Sequence, residues 1–136
     1  MERAREAMTA VKREVIRPAG MAPNTILSAG IRVGDLIWTA GHVGRDPELG
    51  ETPPDIAGQT RNTLKNLQRV LEAGGSSLGS VVKVNIYLAD IADRPAVNEV
   101  YSEFFPQDPP GRTCIGGAEF GPGVLIEIEA VAVVES

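Results

Sequence analysis

The sequence is short of most features that mark metal, redox or nucleic-acid proteins. It has one cysteine, Cys114, and one histidine, His42. One thiol cannot close an internal disulfide, and one thiol with one imidazole falls short of the ligand set of a structural zinc site. Aromatic residues make up 4% of the chain, so a core has to be built from Val, Ile, Leu and Ala. No apolar run reaches the roughly 18 residues expected of a membrane-spanning helix, and the N-terminus lacks an apolar signal core. The expectation is a reduced, cytoplasmic, metal-free protein. Positive charge is scarce as well, with 13 Lys and Arg against 18 Asp and Glu and a net charge of −5. Nucleic-acid affinity comes mainly from basic side chains on phosphates. The densest basic stretch, residues 2–14, interleaves its Arg and Lys with Glu2, Glu6 and Glu14, which argues against nucleic acid as a partner.

What is present suits one small α+β domain. Residues 1–11 read as a flexible N-terminal extension and 12–136 as a single domain. Val15 to Pro18 suggests a short edge strand, and Gly34-Asp35 a turn between two strands of a hairpin. A helix is expected with Thr52 as N-cap, Pro53 in its first position and Asp55 as the capping-box acid. Its inward stripe is Ile56, Thr60, Leu64, Leu67 and Leu71, and Gly74-Gly75 stops it. Val81–Leu88 alternates as a strand, with Val82, Val84, Ile86 and Leu88 on one face. Asp93 is placed to cap a second helix carrying Val97, Val100, Tyr101 and Phe104 inward. Two last strands are expected near 113–118 and 124–134. Two helices that each bury one stripe fit a two-layer fold, with both on one face of the sheet.

A few residues stand out chemically. Arg112 follows Pro109-Pro110-Gly111, a stiff lead into a strand. Its guanidinium can hold a carboxylate through paired hydrogen bonds, although from position alone a surface or interface salt bridge is the commoner use of an arginine. Glu127 and Glu129, two apart on one strand, share a face that continues into Val131 and Val133. Carboxylates beside an apolar surface need partners, which suggests a pocket or a subunit seam, or else charges that protect an edge strand. Cys114 shares the face of Arg112. As a nucleophile it would need a partner such as His42; otherwise it is a small buried residue. Asn98 and Tyr101 read as packing and capping residues. Gly116-Gly117 breaks the strand pattern and could bulge the chain.

Taken in order, several stretches resemble the Rid family, also called YjgF or L-PSP. They are Gly34-Asp35-Leu36-Ile37-Trp38-Thr39-Ala40-Gly41, Asn62 to Leu67, Val82 to Leu88, Val97 to Phe105, Pro110-Gly111-Arg112-Thr113-Cys114 and Ile126 to Ala130. The resemblance implies a chorismate-mutase-like fold with a mostly antiparallel six-stranded sheet, assembled as a homotrimer with clefts between subunits. It implies a cofactor-free deaminase that hydrolyses 2-imino or enamino acids such as 2-aminoacrylate to 2-keto acids and ammonia. In that reading Arg112 binds the substrate carboxylate and Glu127 positions or activates water, while Cys114, Ala40 and Gly41 line the cleft. Leu27 stands where many members carry a tyrosine, and Ala40 where a serine is usual. Substrate preference, a reaction on another enamine or unsaturated carboxylate, and a non-catalytic carboxylate-binding trimer therefore stay open.

Overall fold

The computed structural model describes residues 12–136; the expected N-terminal extension, 1–11, lies outside the described residues. The chain runs β1 (Arg13–Ile16), β2 (Gly30–Val33), β3 (Leu36–Thr39), α1 (Ile56–Ala73), β4 (Val81–Leu88), α2 (Arg94–Phe104), β5 (Gly111–Ile115) and β6 (Ile126–Val133). The strands form one six-stranded sheet in the order β1-β2-β3-β6-β4-β5. Neighbours are antiparallel except β4 and β5, which are parallel and joined through α2. This is the expected α+β architecture, with a mixed sheet.

One core holds it together. Ile37, Val84, Ile86, Leu88, Ile126, Ile128, Ala130 and Ala132, alternate positions of their strands, pack with Leu64, Leu67, Val70 and Leu71 of α1 and Val97 and Tyr101 of α2. The helix spacing and the strand alternation meet on the same side of the sheet. The opposite side keeps Leu36, Trp38 and Val133 exposed. There Leu36 is paired with Val133 and Trp38 with Val131, an apolar patch that no part of the described chain covers.

Local chemistry decides the element ends. The hairpin turns at Gly34-Asp35, with Gly34 at φ 58°. α1 begins later than expected, at Ile56, and its N-cap is Asp55, whose carboxylate accepts from Gly58 N at 2.8 Å. The reason is Pro54, which disfavours helical geometry at Pro53, so neither Thr52 nor Pro53 can open the helix. The far end closes as expected: Gly75 at φ 89° lets its N–H reach Glu72 O and the Ser76 N–H reach Leu71 O, a Schellman closure. Fully buried Gln59 ties this layer to two loops by donating to Pro53 O and Gly123 O and accepting from Leu125 N.

Three further expectations need correction. A bulge between Val81 and Lys83 turns Val81 inward and leaves Val82 out, so the face begins Val81, Val84, Ile86, Leu88. Asp93 occupies the N-cap position of α2 without a side-chain bond, because its ψ of −8° is already helical; Asp90 does the capping one turn earlier, on Ala92 N. β5 runs from Gly111 to Ile115, so it both starts and stops early. It stops where Gly116 passes Ile91 so closely that a Cβ would sit 2.8 Å from Ile91 N, and Gly117 follows at φ 77°.

Gly44 makes a similar close approach: a Cβ there would lie 2.5 Å from Gln59 O and 2.8 Å from Gln59 Cα. The obstacle is helix backbone, which cannot rotate away. Gly44→Ala is expected to cost about 2–3 kcal/mol, measured as a drop in the urea midpoint with an unchanged m-value.

Candidate active site

The two singled-out carboxylates differ in what they touch. β4 and β6 pair so that Asn85 faces Glu129 and Tyr87 faces Glu127. Glu129 Oε1 accepts from Tyr87 Oη at 2.8 Å and from Asn85 Nδ2 at 3.1 Å. That bond to a carboxylate, with burial and the acid's charge, pushes the Tyr87 phenol above its ordinary range. Glu129 is thus occupied in joining two strands. Glu127, half-buried, has no hydrogen bond or ion pair among the described residues. It is the acid available to a ligand.

A widening of the sheet frames Glu127. β3 pairs β6 only through Trp38, and the pairing resumes at the His42–Ile128 bridge. Between those points three residues, Thr39, Ala40 and Gly41, oppose two, Glu129 and Ala130. The Thr39 hydroxyl fills the gap, accepting from Ala130 N at 2.9 Å and donating to Ala40 O at 2.8 Å. The backbone swings so that Gly41 lies directly against the acid: a Cβ there would meet Glu127 Cδ and Oε2 at 2.7 Å. Ala40 lies at the edge of a hollow of about 430 Å³ shared with Ile26, Leu27, Trp38 and Thr39. Gly41→Ala should push the flexible Glu127 head aside. A loss of turnover is expected with a thermal midpoint close to wild type, because only a side-chain end has to move.

His42 continues the widened segment. Its backbone bonds to Ile128 in both directions, and its Nε2 lies 3.0 Å from Ala29 O. Burial lowers its pKa below 6.5, with the Ala29 carbonyl and the Glu127 charge pulling the other way. A neutral ring donating from Nε2 is the consistent tautomer.

Arg112 lies elsewhere. In the parallel β4–β5 register it faces Val84, and Cys114 faces Ile86, both on the helix side. Its Cζ sits 4.8 Å from the centre of the Tyr101 ring on α2. No carboxylate pairs with it among the described residues. Cys114 is half-buried against the core. In the row His42–Ile128–Ile86–Cys114 the histidine and the thiol are three strand spacings apart, roughly 14 Å. Within one chain they form no catalytic pair.

Arg112 and Glu127 do not meet either. Glu127 faces Tyr87, which faces Ile115, so Arg112 is two strands across and three residues along. That is roughly 14 Å between Cα atoms, with the side chains on opposite sides of the sheet. A site using both requires them from different copies. The contact of Tyr101 with Arg112 was missed in the sequence, where Tyr101 reads as a packing and capping residue. Its closeness to Arg112 depends on the β4–α2–β5 crossover and leaves no local trace in the sequence.

The family model described as endoribonuclease L-PSP matches residues 17–134. The chain belongs to this family, which is the Rid family of the resemblance. Among similar Rid proteins, a RutC family protein of Pyrococcus abyssi is 43% identical over 106 residues, 77% of this chain and 84% of that protein. The 2-iminobutanoate/2-iminopropanoate deaminase of Escherichia coli K12 is 36% identical over 119 residues, 85% of this chain and 91% of that enzyme. Among solved Rid structures, E. coli TdcF with bound serine superposes with a TM-score of 0.82 at 32% identity, covering 90% of this chain and 99% of that one. Among the described residues of this Rid chain, no helix is long and apolar enough to cross a membrane.

Proposed function

We propose that this Rid protein hydrolyses 2-imino and enamino acids to 2-keto acids and ammonia without a cofactor, in a homotrimer whose sites take Arg112 from one copy and Glu127 from the next. The carrying observation is the half-buried Arg112 guanidinium, which stands beside the core with no acid to neutralise it among the described residues. A partly buried guanidinium of this kind favours a bidentate carboxylate ligand. The deaminase name of the E. coli relative at 36% identity supports the same substrate class.

The reaction asks little of the protein beyond placement. An enamino acid tautomerises to the 2-imine; protonation of its nitrogen makes the C=N carbon electrophilic. Water adds to that carbon and loses a proton, giving a carbinolamine. The C–N bond then breaks, ammonia leaves, and the carbonyl remains. Arg112 fixes the carboxylate next to the reacting carbon, and Glu127, free of donors among the described residues, positions water and takes its proton. Ala40 and Gly41 leave room around that acid, and Cys114 lines the arginine side. Leu27 in the neighbouring hollow makes the wall more apolar and favours imino acids with aliphatic side chains.

The test generates 2-iminobutanoate in situ with an amino-acid oxidase and traps surviving imine with a semicarbazide-type nucleophile. Trapping should fall as the protein is added. An unchanged yield at micromolar protein would refute deamination, and thermal stabilisation by 2-oxobutanoate without turnover would instead identify a carboxylate-binding trimer. Glu127→Gln should lower kcat by about 10²-fold, the usual range for a general base, with KM little changed.

A further inference from the structure

We infer that Tyr101 is a positioning residue for Arg112, a ring-face seat that holds the guanidinium by its plane and leaves its edge N–H groups free for a carboxylate. The inference rests on the reading of Arg112 as the carboxylate ligand.

Arg13, Arg17 and Arg94 are exposed and make no side-chain bond among the described residues, whereas four arginines held against the protein show what a seat usually costs. Arg32 and Arg45 donate to backbone carbonyls, Arg61 to Glu103, and Arg69 to Asn66. Each spends an N–H on the protein. Arg112 spends none among the described residues, yet it is half-buried rather than loose in solvent. Contact with the π face orients a guanidinium without using its donors, because the attraction acts through the plane. An acid in the same place would hold the arginine as firmly but would compete with the substrate.

The seat is itself braced. Tyr101 is 6% exposed, and its ring packs on Phe105 with centroids 4.6 Å apart. Its hydroxyl is buried with no hydrogen-bond partner among the described residues, so an oriented polar bond does not explain the residue; the ring does. Burial also raises the phenol pKa against the opposing pull of Arg112, which keeps the ring neutral and the cation uncompensated.

The test compares 2-oxobutanoate affinity, and kcat and KM for 2-iminobutanoate, in Tyr101→Phe, Tyr101→Leu and a series with phenylalanine of increasing fluorination at position 101. Tyr101→Phe keeps the face and should bind within about 2-fold of wild type, whereas Tyr101→Leu should raise Kd and KM by about 5- to 30-fold, with a smaller fall in kcat as the carboxylate is held less firmly. The fluorinated rings keep the shape and the fold while draining the face of electron density, so affinity should fall stepwise along the series. Affinity flat across that series, or an unchanged KM in Tyr101→Leu, overturns the seat. Arg112→Ala serves as the reference: undiminished 2-oxobutanoate binding there removes the carboxylate reading itself, whereas lost binding there with a flat ring series removes Tyr101 alone.

Discussion

Arg112→Ala is expected to lower kcat/KM for 2-iminobutanoate by about 10²- to 10³-fold, in line with the cost of truncating one partner of a desolvated charge pair. The loss should fall on both parameters. Without the guanidinium the carboxylate has no partner in the site, so KM rises. The imine carbon also loses its fixed distance from the placed water, so kcat falls. Arg112→Lys is the sharper probe. It keeps the charge but replaces a planar fork with a point donor, and it cannot lie flat on Tyr101. Recovery should therefore be partial. A lysine variant with wild-type kinetics would show that charge alone matters, and an alanine variant with wild-type kinetics would remove Arg112 from the site.

Mixing two dead variants should produce a live enzyme. Because Arg112 and Glu127 look away from each other within a chain, each proposed site draws them from two copies. Arg112→Ala and Glu127→Gln, each nearly inactive alone, should regain activity when unfolded together and refolded as mixed trimers. Random assembly at equal amounts rebuilds about one quarter of the sites with both native residues, given a head-to-tail ring. Measured deamination should approach that fraction of wild type. A mixture no more active than its parts would contradict a shared site.

What the sequence made legible was mostly local. The Gly34-Asp35 turn, the Gly74-Gly75 stop and the inward stripe of α1 depend on neighbours a few residues away, and all three were readable. Local reading failed where two local rules competed. Pro53 suits a helix start, but Pro54 forbids it there, and the N-cap moved to Asp55. The bulge at Val82 is a property of pairing with β6, so alternation in one strand could not reveal it. At the site, Arg112 and Glu127 were visible as residue types in a family-like context. The contrast between Glu127 and Glu129 was not, because Tyr87 and Asn85 reach Glu129 only once β4 lies beside β6 in register. Nor was the separation of Arg112 from Glu127 visible. It arises from the parallel β4–β5 crossover, which sets Arg112 on the helix side.

If copies meet at the sheet face with Leu36, Trp38, Val131 and Val133, which the described chain leaves uncovered, the proposed catalysis is tied to abundance. With the proposed shared site, a solitary chain would hold only half of each reaction centre on either side of its sheet and should be inert. Specific activity should then collapse on dilution as copies part, and return on concentration without any effector. Scarcity of the polypeptide would silence it more steeply than its copy number alone suggests.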